Sequence, residues 1–350
     1  MLSSSRDQAR LLAKRAVIST GLEVSAVLAG LGLFGSARGL GAIFTLHHVR
    51  PQRKNDFRPN DLLEVTPEFL ETVLLTLRNE DYDFIRLEDI PERLSGKPGR
   101  PFACFTLDDG YRDNATYAAD IFARHHAPFT IFLNSGFFGR TRTMWWETLD
   151  AMLNHTNQIT FDFGQGAETL LACTPAQKLS AFNRIASHIN TGDERLAVER
   201  LDEEAMRRDF DPGGVVAELT LAEAELKRLS TRPLVSFGGH TVSHRGIARL
   251  PDDEAEAEIA DSLDAVAAIT GSRPKSFAYP YGDARSFAPR ERQTLKRLGV
   301  DIAVTTRPGT LVPEMAGDLT ALPRISLNGL YQKARYVRAL ASGIPFKLAG

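Results

Sequence analysis

The chain has 350 residues, 43% hydrophobic and 25% charged, with a formal net charge of -2. This is the composition of a globular protein with a sizeable core, and it lacks the basic excess expected of a nucleic-acid binder. Two cysteines, Cys104 and Cys173, are too few for a disulfide framework or a cysteine-based metal site.

The first 40 residues open with Arg6, Arg10, Lys14 and Arg15, followed by an apolar stretch from Ala16 to Phe34. That order resembles a secretion signal. However, Glu23 interrupts the stretch, glycines crowd its end and no small-residue cleavage site follows. Residues 1–40 are therefore read as a helical segment packed on the domain or lying at a membrane surface. Glu23 argues against a transmembrane span. The expected location is cytoplasmic or inner-membrane-associated, with the envelope left open.

Gly41 to Val49 reads as a strand ending in His47 and His48. Thr66 and Pro67 open a helix to about Glu80, as cap and first position. Phe84 to Leu87 is a short strand. Phe102 to Leu107 is a buried strand that stops at Asp108-Asp109-Gly110. Adjacent strand residues face opposite ways, so the two carboxylates can do different work at one mouth. Asn114 to His125 reads as a helix capped by Asp113 and Asn114, and Phe129 to Leu133 as a strand. This alternation predicts a parallel α/β architecture.

The rhythm breaks between Gly139 and Arg232, read as a mainly helical insertion. It holds the only tryptophans, Trp145 and Trp146, either a stacking platform for sugar rings or packing for the insertion. The alternation then resumes with a strand over 234–237 running into His240-Thr241-Val242-Ser243-His244. A helix over 252–270, a strand over 276–279 before Pro280-Tyr281-Gly282, a helix over 289–298 and a strand over 301–305 follow. Leu322 to Ser326 is a last strand, and 331–350 a terminal helix.

Three strand ends thus carry reactive residues: His47-His48, Asp108-Asp109 and His240…His244. In a parallel barrel such ends open on one face. Two histidines four apart plus one carboxylate can hold a divalent ion with positions left open, and zinc suits such ligands.

Thr106-Leu107-Asp108-Asp109-Gly110 resembles the first motif of the polysaccharide deacetylase family, carbohydrate esterase family four, which includes nodulation-type chitooligosaccharide deacetylases. His240-Thr241-Val242-Ser243-His244 matches its histidine motif, and Phe277 to Gly282 resembles its third. The resemblance covers about residues 42–327 outside the insertion at 139–232. It implies a distorted (β/α) barrel over 41–330, with Asp109, His240 and His244 as ligands of a divalent metal, most simply Zn2+. It also implies Asp108 as general base, with the backbone N–H of Tyr281 supporting the oxyanion.

The chain departs from the pattern at Ala278, where the family has an arginine that orients the base. Arg324 is the candidate replacement. No histidine follows His244, so the late motif that supplies the family's acid is absent. Phe44 to Val49 instead resembles the N-terminal histidine motif of the branch that deacetylates poly-N-acetylglucosamine. His47 is accordingly expected to be the acid, since an imidazole of near-neutral pKa suits that role. The expected substrate contacts are Trp145, Trp146, Arg324 and His48.

The implied function is metal-dependent removal of N-acetyl groups from an N-acetylglucosamine-containing glycan, of chitooligosaccharide or poly-N-acetylglucosamine type. The alternatives are an O-acetyl esterase or cyclic-amide hydrolase on the same site, or a glycan-binding module with a relict site.

Overall fold

The computed structural model describes residues 2–96 and 99–349. Seven parallel strands form its centre: β1 (Gly41–Leu46), β2 (Phe102–Leu107), β3 (Phe129–Leu133), β4 (Val235–Gly239), β5 (Ser276–Ala278), β6 (Ile302–Val304) and β7 (Ile325–Ser326). Their spatial order is β6-β5-β4-β3-β2-β1-β7, with Asp83–Phe84 pairing on β2 as an eighth, off-path strand. The curled sheet nearly closes, because β6 meets the segment before β7 through a Val304–Leu322 bridge. This is the distorted (β/α) barrel expected from the sequence. Strands β1 and β2 are buried at every residue, as strands covered on both faces must be.

The register places the chemistry. Leu46 pairs with Leu107, so His47 and Asp108 follow at one level. Leu133 pairs with Gly239, which sets Asn134 beside His240. Phe277 also pairs with Gly239, which sets Ala278 beside His240.

Local signals hold where they are chemically specific. Thr66 Oγ1 accepts the Phe69 N–H at 3.1 Å and the helix runs Pro67–Asn79. The helix Asp252–Thr270 ends at Gly271, whose φ of 79° needs no Cβ to be accommodated. The first strand is shorter than expected: it breaks at His47, and His48–Val49 pair separately with Glu64–Val65. The insertion is helical except for an antiparallel hairpin, Gln158–Asp162 with Ala167–Leu171, which the sequence reading missed. It has its own apolar core, including Trp146, Leu149, Phe161 and Ile185.

The first helix spans Leu2–Gly30. It packs Leu22 against Tyr336 and Ala339, and Glu23 accepts hydrogen bonds from Arg335 and Tyr336. No helix among the described residues is long and apolar enough to cross a membrane.

Candidate active site

Asp109, His240 and His244 meet at the barrel mouth, each offering one ligand atom within 4.8 Å of the others. Asp109 Oδ1 lies 3.7 Å from His240 Nε2 and 3.5 Å from His244 Nε2. It is buried without a hydrogen-bond partner among the described residues. His240 Nδ1 lies 2.7 Å from the Ala278 carbonyl oxygen. A carbonyl accepts only, so Nδ1 carries the proton and Nε2 turns a lone pair toward Asp109. Burial and the neighbouring Asp108 push the Asp109 carboxyl well above its usual range. Burial also holds His244 well below the ordinary imidazole value. An orphaned carboxylate oxygen facing the Nε2 atoms of two imidazoles is a donor set that a divalent cation satisfies.

The backbone is strained at these positions. Asp109, Thr241, His244 and Tyr281 adopt φ of 71°, 64°, 62° and 59°, a region that β-branched and bulky residues rarely enter. Beside them Gly110 sits at φ 68°, where a side chain would be strained, and a Cβ would meet the Leu133 methyl at 2.7 Å. The histidine loop is held by Glu258, which accepts the Val242 and Ser243 N–H groups at 2.9 Å. The Tyr281 N–H has no acceptor among the described residues. Its side-chain hydroxyl donates to Glu194 at 2.6 Å.

Asp108 takes a bidentate pair from Arg324, Nη1 to Oδ1 at 2.8 Å and Nη2 to Oδ2 at 2.7 Å. Arg324 also donates to the Thr305 carbonyl at 2.8 Å and to Thr106 Oγ1 at 3.1 Å. Burial alone would raise the Asp108 carboxyl, but the guanidinium overrides it and holds it far below the usual range. Arg324 thus makes the contact with Asp108 expected of a replacement for the arginine missing at Ala278. It is fully buried, so the substrate contact also expected of it is corrected to a positioning role. His47 Nε2 stands 4.0 Å from Asp108 Oδ2 and is 22% exposed. Burial pulls its pKa down to about 4, against the near-neutral value the sequence reading assumes.

Residues 159–303 match the sequence model described as polysaccharide deacetylase. Comparison with curated proteins finds no match. Three solved structures share the fold. A Streptococcus pyogenes deacetylase, PplD, in complex with acetate has a TM-score of 0.54 at 18% identity, covering 83% of this chain and 92% of that one. IcaB from Ammonifex degensii has 0.55 at 16%, covering 86% and 98%. BC0361, a polysaccharide deacetylase from Bacillus cereus, has 0.53 at 15%, covering 87% and 68%. Over residues 159–303 the chain is thus similar to the polysaccharide deacetylase family, and the three structures show a shared fold. Its family match takes in His240 and His244 but starts after Asp108 and Asp109, so those two assignments rest on the geometry above.

His48 turns away from the mouth, which corrects its expected substrate contact. It is fully buried, with Nδ1 bonded to Asp113 and Nε2 3.5 Å from Glu147 Oε1, an ion-pair contact. Asp113 and Asn114 do not cap the following helix. Asp113 accepts the Val49 N–H at 2.9 Å and Asn114 donates to the His47 carbonyl at 2.8 Å, so both fasten the strand end that carries the histidines. Trp145 and Trp146 are each only 7% exposed, and what they show lines a cavity beside His244. Their indole N–H groups donate to Tyr281 and Tyr111 at 3.2 and 2.9 Å, and Trp146 packs 4.8 Å from the His244 ring. They tie the insertion to the candidate site, packing it against the barrel. Glu147, Glu194 and Glu258 were missed because a lone glutamate on a helix carries no sequence signal of what it will face.

The His48 cluster predicts a pH response. Burial would lower the His48 pKa, but Asp113 and Glu147 outweigh it and raise it to about 9. A raised pKa stabilises the fold fully below the unfolded value near 6.5, and the contribution is lost as pH rises through 9. The melting temperature is expected to fall across that window, by an amount equivalent to about 3 kcal/mol. In His48→Gln the protein should be less stable at neutral pH and the slope should vanish. Parallel pH profiles of the two proteins would overturn the assignment.

Proposed function

We propose that the chain is a metal-dependent deacetylase that removes N-acetyl groups from N-acetylglucosamine-containing oligo- or polysaccharides. The observation carrying this reading is the convergence of Asp109, His240 and His244 beside an Asp108 locked by Arg324, with His47 opposite. A divalent cation held by Asp109, His240 and His244 would polarise the acetyl carbonyl and lower the pKa of the attacking water. Zinc fits the imidazole and carboxylate donors.

The chain's own groups supply the rest. Asp108 is ionised and fixed in orientation by Arg324, so it accepts the proton of the attacking water. The Tyr281 N–H donates to the oxygen on which charge develops. The amide nitrogen leaves only as an amine, because its anion is too basic. His47 enters the cycle neutral, given its low pKa. A proton reaching Nε2 makes a strong imidazolium acid, which the departing amine can discharge. A cavity of about 280 Å³ beside His244, walled by Trp145, Trp146, Glu194 and Arg245, offers a seat for the sugar. The first-strand position of His47 favours the poly-N-acetylglucosamine type over chitooligosaccharides.

The test is acetate release from poly-N-acetylglucosamine, chitooligosaccharides and acetylxylan, before and after metal stripping. Release from the N-acetyl polymers that returns with added Zn2+ supports the reading. Release from acetylxylan alone overturns it in favour of an esterase, and glycan binding without release in favour of a relict site. His47→Ala is expected to retain its metal and lose most amide hydrolysis, roughly a hundredfold. It should act nearly normally on aryl acetates, whose leaving group needs no proton. Equal loss on both substrates would remove His47 as the acid.

A further inference from the structure

The first helix presents apolar side chains to solvent as well as to the protein. Its inner face, with Leu22 and Ser25, is buried against the C-terminal helices. Its outer face carries Val17, Val24, Val27 and Leu31, exposed at 72%, 48%, 62% and 69%. At 100° per residue these four fall within one quadrant of the helix, and Thr20 lies among them. Leu33 and Phe34 continue the patch onto the turn that follows, and Leu348 adds to the exposed apolar surface from the last helix, which packs alongside. A helix facing water normally carries charge on its outer side. This one carries none on that face from Val17 to Leu31.

The charges lie at the rim. Lys14, Arg38 and Lys347 are exposed at its ends, Lys14 just before Val17, Arg38 just after Phe34 and Lys347 next to Leu348. The one acid between residues 13 and 38, Glu23, is held by Arg335 and Tyr336. An apolar strip bordered by cations is complementary to an anionic lipid surface, where the strip enters the acyl boundary and the cations meet the headgroups. Two copies packed through the same strip would instead bring cationic rims together. We propose that this face docks the protein on an anionic bilayer, with Val17, Val24, Val27, Leu31 and Phe34 inserted.

The experiment is co-sedimentation of the full chain with vesicles of phosphatidylcholine alone or with 30% phosphatidylglycerol added. Wild type is expected to sediment with the anionic vesicles and much less with the neutral ones. The double variant Val24→Glu and Val27→Glu should bind at least roughly tenfold more weakly. Both positions are solvent-exposed and outside the catalytic machinery, so its melting temperature and acetate release should match wild type. Wild type left in the supernatant, or a variant that sediments equally, overturns the proposal. Equal binding to neutral vesicles overturns the anionic assignment. A dimer by light scattering that the variant abolishes, without vesicle binding, assigns the face to a second copy instead.

Discussion

Arg324→Met is expected to lower turnover roughly a hundredfold and to destabilise the fold by about 3–5 kcal/mol. The first effect follows because a base displaced by about 1 Å loses that much rate. The second follows because removing one partner of a buried ion pair leaves the other uncompensated. Asp108 would then be neutralised by protonation rather than stay charged in a dry site. The acid response should change as well. In wild type the folded carboxyl titrates below its unfolded value near 4, so its stabilising contribution is in place above that pH and is lost as pH falls toward the folded value. In Arg324→Met that loss should be absent. Arg324→Lys, which keeps the charge without the fork, should recover part of the stability and less of the turnover. A folded Arg324→Met protein with wild-type kcat would show that the guanidinium only packs.

The second large effect separates the two aspartates. Asp109→Ala is expected to lose bound metal by elemental analysis and, with it, activity. Asp108→Asn should keep the metal and lose roughly a hundredfold or more in turnover, the contribution of a general base. The distinction rests on geometry: Asp109 Oδ1 points without a partner at two imidazoles, whereas both Asp108 oxygens are taken by Arg324. If Asp109→Ala held its metal at full occupancy, the ligand set would have to be redrawn. Near-normal turnover in Asp108→Asn would require another base.

Some of the site is legible from residue order because it depends on neighbours along the chain. An apolar run that stops at two carboxylates and a glycine marks a strand end under any packing. His240 and His244, bracketing a tight loop after Gly238 and Gly239, mark another. Alternation along an extended segment separates His47 from His48, and the structure turns one to the mouth and buries the other. The parallel barrel and the bounds of the Asp252–Thr270 helix follow from periodicity and punctuation in the same way.

Residue order alone did not show long-range partners, because nothing local distinguishes one buried arginine or glutamate from another; Arg324 was singled out only through the arginine that the resemblance leaves missing at Ala278. Arg324 reaches Asp108 across 216 positions of sequence through the barrel seam, which exists only once β7 lies beside β1. Asp113 looks like a helix cap in sequence, yet the His48 imidazole and the Val49 N–H claim its oxygens first, since a buried charge must be paired before a helix end open to water needs capping. The pKa of His47 is a property of its burial and not of the imidazole. Residue types and their order determined which groups could do the chemistry. The tertiary structure decided which of them are charged, paired and facing the mouth, because those properties depend on desolvation and on neighbours brought in from distant strands.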